Sequence, residues 1–190
     1  MKRVIDFCLA FICLIIFSPL FVICYVAILI EDRGPVFFKQ ERIGLGGKPF
    51  NILKFRSMNT DGNCDDYTLF KHEKNENITR TGRFLRDHHL DELPQLLNVL
   101  KGDMAFVGPR PERKYYIDLI MEHDARYEKL YQLRPGVTSY ATLHNGYTNS
   151  MEKMLIRLEM DLHYLEHHTL WLDGKILIQT FLNIIGGKHF

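Results

Sequence analysis

The chain has 190 residues, 46% of them hydrophobic and 25% charged, with a formal net charge of +1 at pH 7. So balanced a charge excludes a general nucleic-acid binder. Of the four cysteines, Cys8, Cys13 and Cys24 lie in one apolar run and Cys64 stands alone in a polar stretch. They form neither a disulfide framework nor a metal-ligand spacing, which fits a reducing compartment.

The apolar run, Phe7 to Ile30, has 24 residues without a charge except at its flanks, and Ser18-Pro19 at its centre. It is long enough to cross a bilayer core. Pro19 lacks a backbone donor, so a helix through it must bend or break. Two placements fit: a spanning anchor with a kink, or a re-entrant hairpin that enters and leaves on one side. Lys2 and Arg3 flank one end; Arg33, Lys39, Arg42, Lys48, Lys54 and Arg56 follow the other. Basic residues near a span favour the cytoplasmic side. A spanning helix cannot put both ends there, whereas a hairpin can, each arm of about 12 residues reaching about 18 Å. A cleaved signal peptide is disfavoured, because the run is too long and no small-residue cleavage site follows.

The remaining residues, from Glu31 on, suit one domain. VFFKQERIG (36–44) and Pro49 to Met58 read as two short strands around Gly44-Leu45-Gly46-Gly47. Asn59 to Asn77 is polar and reads as a surface loop or a loop with a short helix. Thr81 to Arg86 starts a helix, with Thr79 or Thr81 as cap. Leu90 to Leu100 has the helical period and ends at Gly102. Met104 to Val107 is a short apolar run. Tyr115 to Leu133 and Met151 to Leu165 read as two further helices. Leu170 to Phe190 is amphipathic to apolar; it fits a core helix or one lying on a membrane surface with Trp171 at the headgroups.

The densest chemistry lies between Arg86 and Pro111. Asp91 and Glu92 precede Pro94, a residue favoured in a first helical turn. A helix N-terminus would hold Asp91 ionised and attract phosphate. An ionised Asp is a nucleophile or a ligand for a divalent cation; it is also an ordinary cap. Arg110, fixed between Pro109 and Pro111, suits bidentate phosphate binding, although it also suits a surface ion pair. Arg86, Lys54 and Arg56 are further candidate cations. The pairs His88-His89 and His167-His168 tempt a metal reading, but neighbouring histidines on a helix point apart. Asp161 and Asp173 sit among apolar neighbours and each needs a cationic or metal partner. A carboxylate pair, several cations and a bilayer together point to a phosphorylated lipid or a nucleotide diphosphate.

These residues resemble the bacterial sugar transferases, the monotopic phosphoglycosyl transferases that act on polyprenol phosphate. The resemblance rests on Ser18-Pro19, Lys54-Phe55-Arg56-Ser57-Met58 and the block LDELPQLLNVLKGDMAFVGPRP. It continues through Arg134-Pro135-Gly136-Val137-Thr138, Glu159-Met160-Asp161 and Leu172-Asp173-Gly174-Lys175. It implies an α+β fold: a re-entrant membrane helix over 1–33 broken at Ser18-Pro19, then a small, mostly helical catalytic domain over 34–190. That domain would carry a short β-hairpin and interfacial amphipathic helices, on the cytoplasmic face of a bacterial inner membrane.

The resemblance also implies transfer of a sugar-1-phosphate from a UDP-sugar to undecaprenyl (polyprenol) phosphate, with release of UMP, in polysaccharide or glycoconjugate assembly. Asp91 would carry the phosphosugar covalently, Glu92 would be the acid/base, and Mg²⁺ would join Asp91 to the diphosphate. Lys54, Arg56, Arg86, Arg110 and Arg134 would hold phosphates or uridine, and Asp161 and Asp173 would line or order the site. Further partners would be membrane lipid, a second copy of the chain and downstream glycosyltransferases. A tethered phosphohydrolase and a non-catalytic anchor subunit are the alternatives. The chain departs from the family pattern at Ser139-Tyr140-Ala141-Thr142 and Leu143-His144-Asn145-Gly146-Tyr147, where the expected Trp, Gln and Arg are absent. This loop is the expected determinant of sugar choice. By this resemblance the chain is expected to be a minimal catalytic unit, without the extra N-terminal membrane bundle of larger relatives.

Overall fold

A computed structural model describes residues 1–59, 77–145, 148 and 150–186. Most of the expected polar loop, with Cys64, lies outside them, as do Gly146 and Tyr147. The fold is mostly helical, with a small two-stranded antiparallel sheet. The apolar run forms two helices, α1 (Lys2–Ile16) and α2 (Ser18–Glu31), bent by 63°. The break falls at Phe17. Ser18 and Pro19 open α2 instead, where a missing N–H leaves no intrahelical bond unmade. Ser18 Oγ donates to the Ile15 carbonyl at 2.8 Å and covers one acceptor at the end of α1. Among the described residues no single helix is long and apolar enough to cross a membrane, but this bent pair passes by length and composition together.

Both outer ends of the pair are tied to the polar body. Lys2 Nζ donates to the Asp173 carboxylate and, at 3.2 Å, to the Tyr164 hydroxyl. Arg3 Nη2 donates to the Leu100 carbonyl at 2.7 Å, at the C-terminus of α4 (Gln95–Lys101), where a cation complements the helix dipole. At the other end the Glu31 carboxylate accepts from Arg80 N and Thr81 N at 2.7 and 2.8 Å. It thereby caps α3 (Arg80–Asp87) alongside Thr79, whose hydroxyl accepts from Gly82 N at 2.8 Å.

Strands β1 (Phe37–Ile43) and β2 (Pro49–Phe55) pair antiparallel, from Phe37 opposite Phe55 to Ile43 opposite Pro49. The aromatic rings of Phe21, Phe37 and Phe55 pack together and seat α2 against the hairpin. On the outer edge of β2 the buried carboxamide of Asn98 takes the place of a third strand. Its Oδ1 accepts from Leu53 N at 3.0 Å, and its Nδ2 donates to the Asn51 carbonyl at 2.8 Å. This fixes α4 against β2. Gly102 ends α4 at φ +95°, as its position after the periodic run predicts.

The apolar run after α4 becomes β3 (Ala105–Val107), which pairs parallel with β4 (Gly136–Thr138). Gly108 and Gly136 cross so closely that a Cβ on Gly136 would lie 2.2 Å from Gly108 N. Only glycine permits that approach. The single helix expected over Tyr115 to Leu133 is interrupted. The chain forms α5 (Lys114–His123), then an extended Asp124, then a 3₁₀ stretch Ala125–Gln132. Asp124 breaks the run because its carboxylate accepts from Arg126 N at 2.9 Å, a local bond that competes with helix continuation. A short α6 (Tyr140–Asn145) precedes α7 (Met151–His167), capped by Ser150, and α8 (Leu170–Ile185), capped by Thr169. Ile117, Ile120, Leu130, Leu158 and Leu162 form the core between α5, the 3₁₀ stretch and α7. Helix α8 buries Ile176 and exposes Trp171, Ile178, Phe181 and Leu182.

Replacing Asn98 by Leu leaves the Leu53 N–H and the Asn51 carbonyl buried without partners. A destabilisation of about 1–3 kcal/mol is expected, read from urea unfolding in nanodiscs. A change within error of zero would show that α4 does not need this bracket.

Candidate active site

The two adjacent carboxylates sit between α3 and α4. After α3 the chain turns at His89, whose φ of 55° is the left-handed conformation. A side chain there costs of order 1 kcal/mol. The turn swings Leu90–Glu92 into a 3₁₀ segment, so α4 itself begins at Gln95, after Pro94. The single helix expected over Leu90 to Leu100 is therefore two pieces, and the carboxylates precede the helix dipole instead of sitting on it.

Environment separates the pair. Burial pushes the Asp91 carboxyl up, with Lys54, Arg86 and His89 opposing and Glu92 adding to the rise. Glu92 also loses hydration, but Lys54 and Arg110 outweigh that loss and hold its carboxyl below the ordinary range. Lys54 Nζ donates to Glu92 Oε1 at 2.6 Å. Two neighbouring acids with oppositely displaced titrations suit two different chemical roles.

Beside them lies a cavity of about 360 Å³. Its polar lining comprises His89, Glu92, Arg110 and Arg157, with Thr138, Thr142, Thr148 and Thr180. Its apolar lining includes Cys13 and Phe17, at the break of the N-terminal helix pair, with Phe106 and Ile184. One space thus joins a charged wall to the apolar helix break. Glu92 is on the lining; Asp91 sits one residue back and is 8% exposed.

The structure brings some of the sequence-expected residues together and leaves others apart. Glu92 and Arg110 are on the lining; Lys54 stands behind it, paired with Glu92, and Asp91 is Glu92's buried neighbour. Arg86 is close enough to act on Asp91 and donates Nε to Ser57 Oγ at 2.8 Å. Asp161 is buried behind the lining, in the field of Arg157, Glu112 and Arg110, and its Oδ1 has no hydrogen-bond partner. Arg56 lies elsewhere: its guanidinium pairs with Asp32 Oδ2 at 3.3 Å and ties the chain after α2 to β2. Arg134 donates Nε to the Gly102 carbonyl at 2.9 Å and does not reach the lining. Asp173 is engaged by Lys2 and Tyr164, at the tie of the N-terminal helix pair. The pattern-breaking loop does approach the cavity through Thr142.

Sequence reasoning missed Arg157 and Glu112, and met His89 only as half of a histidine pair. A left-handed His carries no sequence mark. Arg157 lies on the same heptad-like face as buried Met154, Leu158 and Asp161, and reads as a surface charge until α7 is packed.

Among the described residues no three His, Cys, Asp or Glu side chains cluster as a metal cage. This does not exclude Mg²⁺, which is ordinarily held by one or two carboxylates and completed by substrate phosphates. Asp91 fits such a site: it is a hard oxygen donor whose charged form is disfavoured by burial, and Lys54 is committed to Glu92. A cation would restore its charge.

Residues 1–187 match the family described as bacterial sugar transferase. The chain belongs to the bacterial sugar transferases. Like this transferase, several curated relatives keep the same region. The UDP-glucose:undecaprenyl-phosphate glucose-1-phosphate transferase of Caulobacter vibrioides is 40% identical over 186 residues, covering 97% of this chain and 69% of that one. The UDP-N-acetylgalactosamine-undecaprenyl-phosphate N-acetylgalactosaminephosphotransferase of Aeromonas hydrophila is 37% identical, covering 98% of this chain but 44% of that one. EpsL of Bacillus subtilis, an uncharacterized sugar transferase, is 38% identical, covering 97% of this chain and 87% of its own. This sugar transferase chain spans less than half the length of several of the relatives it matches.

Burial raises the Asp161 carboxyl from 3.8 to about 7. The folded chain then holds this proton more tightly than the unfolded chain. The associated stability is fully present below about pH 4 and is lost as pH rises through about 7. Asp161→Asn should therefore gain thermal stability relative to the parent chain on going from pH 5 to pH 8, in melts of the nanodisc-bound protein. An unchanged difference would show that Asp161 is already charged at pH 5.

Proposed function

We propose that the chain transfers a sugar-1-phosphate from a UDP-sugar to undecaprenyl phosphate, or a similar polyprenol phosphate, releasing UMP. The observation that carries this reading is the cavity that joins Glu92 and Arg110 to the break of the apolar helix pair. A lipid phosphate needs such a space: a charged end for the headgroup and an apolar exit toward the bilayer. The names of the Caulobacter and Aeromonas relatives agree with it.

In the first step an Asp91 carboxylate oxygen attacks the phosphorus that bears the sugar. A phosphorus–oxygen bond forms to Asp91, the bond to the bridging oxygen breaks, and UMP leaves with that oxygen. In the second step an oxygen of the lipid phosphate attacks the same phosphorus and the Asp91 carboxylate departs. Glu92, kept ionised by Lys54, is placed to take the proton of the lipid phosphate. Asp91 would hold Mg²⁺, which supplies charge neutralisation on the diphosphate. Arg110, and Arg86 beside Asp91, offer guanidinium groups to phosphate oxygens. The covalent route lets a water-soluble donor and a lipid acceptor use one site in turn. The sequence loop that reaches the cavity through Thr142 is the region assigned to sugar choice.

The bent pair is read as a re-entrant hairpin over 1–33, with the domain over 34–190 on the cytoplasmic face of a bacterial inner membrane. Its support is that Lys2 and Glu31, at opposite ends of the pair, both bond to the polar body. A spanning helix would place its ends about 30 Å apart on opposite sides. The exposed apolar side chains of α1, α2 and α8 give the contact surface for lipid.

Asp91→Asn is expected to abolish UMP release while the protein still folds and binds membrane; full activity would end the proposal. With UDP-sugar and no lipid acceptor, release should stall after about one equivalent per site. Continuous turnover would identify a hydrolase instead. In a cysteine-free background, both Lys2→Cys and Lys39→Cys should label from the cytoplasmic side; labelling of only one would indicate a spanning helix.

A further inference from the structure

The polar end of the cavity carries a second guanidinium that no function above uses. Arg157, on α7, is 8% exposed and lines the cavity with Arg110. Its Nη2 donates to Glu112 Oε1, and its Nη1 lies 3.4 Å from Thr148 Oγ1. Glu112 is itself 8% exposed and is held from the other side by Arg42, whose Nη1 lies 3.5 Å from Glu112 Oε2 and donates to the Pro111 carbonyl at 3.2 Å. The Glu112 backbone is fixed as well, because its carbonyl accepts from Ile43 N at 3.1 Å.

A buried ion pair is a poor device for stability alone, since a packed apolar pair serves as well. Here the pair ends on a cavity wall. Moreover, the surrounding charges do not cancel. Lys54 is matched by Glu92, but the single Glu112 carboxylate is shared by Arg42 and Arg157, and Arg110 adds a further cation. Asp161, one turn beyond Arg157 on α7, is buried and drawn up to about 7, so it offsets only part of that excess. The wall is left with net positive charge in a space of low dielectric, where an anion gains most. Arg110 and Glu112 belong to one rigid turn, Pro109-Arg110-Pro111-Glu112. That turn presents one guanidinium itself and orients the other through a carboxylate.

We infer that Arg157 is a phosphate-binding residue of this cavity, acting with Arg110 on the phosphoryl oxygens of a bound substrate, and that Glu112 is its positioning residue. The inference rests on the transferase reading and extends it to residues that reading leaves without a role. Both a nucleotide diphosphate and a lipid phosphate carry the required oxygens. A planar, always-charged fork matches them where a lysine would not.

The test measures binding without turnover, with UDP and undecaprenyl phosphate as separate probes, on the full chain in nanodiscs with Mg²⁺ present. Arg157→Lys keeps charge and fold; Arg157→Gln removes the charge. Each should weaken one probe by at least about tenfold, the scale of a lost charge-assisted hydrogen bond, with a thermal midpoint close to the parent's. A loss confined to UDP assigns Arg157 to the donor diphosphate, and one confined to undecaprenyl phosphate assigns it to the acceptor. Glu112→Gln should weaken the same probe by several-fold, and the double variant should fall short of the product of the two effects. If the parent chain binds its probes and both Arg157 variants bind them equally well, the inference is overturned while the transferase reading stands. If an Arg157 variant loses both probes only in step with a collapsed melting transition, and the Lys variant binds normally, Arg157 is structural and the inference fails. A parent chain that binds neither probe removes the transferase reading and this inference with it.

Discussion

The bonds that join both ends of the broken apolar helix to the polar body govern most of what the structure does. Lys2 reaches Asp173 and Tyr164, Arg3 reaches the end of α4, and Glu31 caps α3. With two anchor points on one body, the bend at Phe17 is held at a fixed place relative to α4 and α8. That is why Cys13 and Phe17 can form a wall of the same cavity as Glu92 and Arg110. The Lys2 and Arg3 anchors are half-buried, so each is strong only while its partner is present; the Glu31 cap is exposed.

Within the cavity, local environment divides labour between residues that the sequence makes neighbours. Asp91 is pushed toward its neutral form and Glu92 toward its charged form, though they differ by one methylene and one position. The cause is not intrinsic acidity. Lys54, on β2, is aimed at Glu92 by the register of the hairpin, and the turn at His89 sets which of the two carboxylates meets it. A cation bound at Asp91 would reverse its handicap, so the site is poised to be completed by its substrate complex.

Much of this was legible in the residues. The proline-broken apolar run, the two strands around the Gly-rich turn, the Thr79 cap and the Gly102 stop follow from local rules of capping, turn chemistry and periodicity. The resemblance offers Lys54 as a group for phosphates or uridine; its ion pair with Glu92 is seen only in the fold. What the sequence hid depends on long-range packing. The β3–β4 pair consists of two three-residue strands far apart in the chain, joined at a glycine crossing. Asp124 interrupts a periodic run because its side chain wins a local bond, which periodicity does not register. Arg56, Arg134 and Asp173 look like phosphate or site groups beside their motifs, yet in the fold they fasten one element to another. Charged residues in a dense motif thus divide between holding a ligand and holding the scaffold, and only tertiary contacts tell which.

The carboxamide of Asn98 has a further consequence for the hairpin it touches. A two-stranded ribbon leaves a bare edge of unpaired amides that readily recruits a strand from another chain. By occupying Leu53 N and the Asn51 carbonyl, Asn98 blunts that edge from within the same molecule. The ribbon is thereby shielded, along this edge, from the intermolecular strand pairing that begins aggregation.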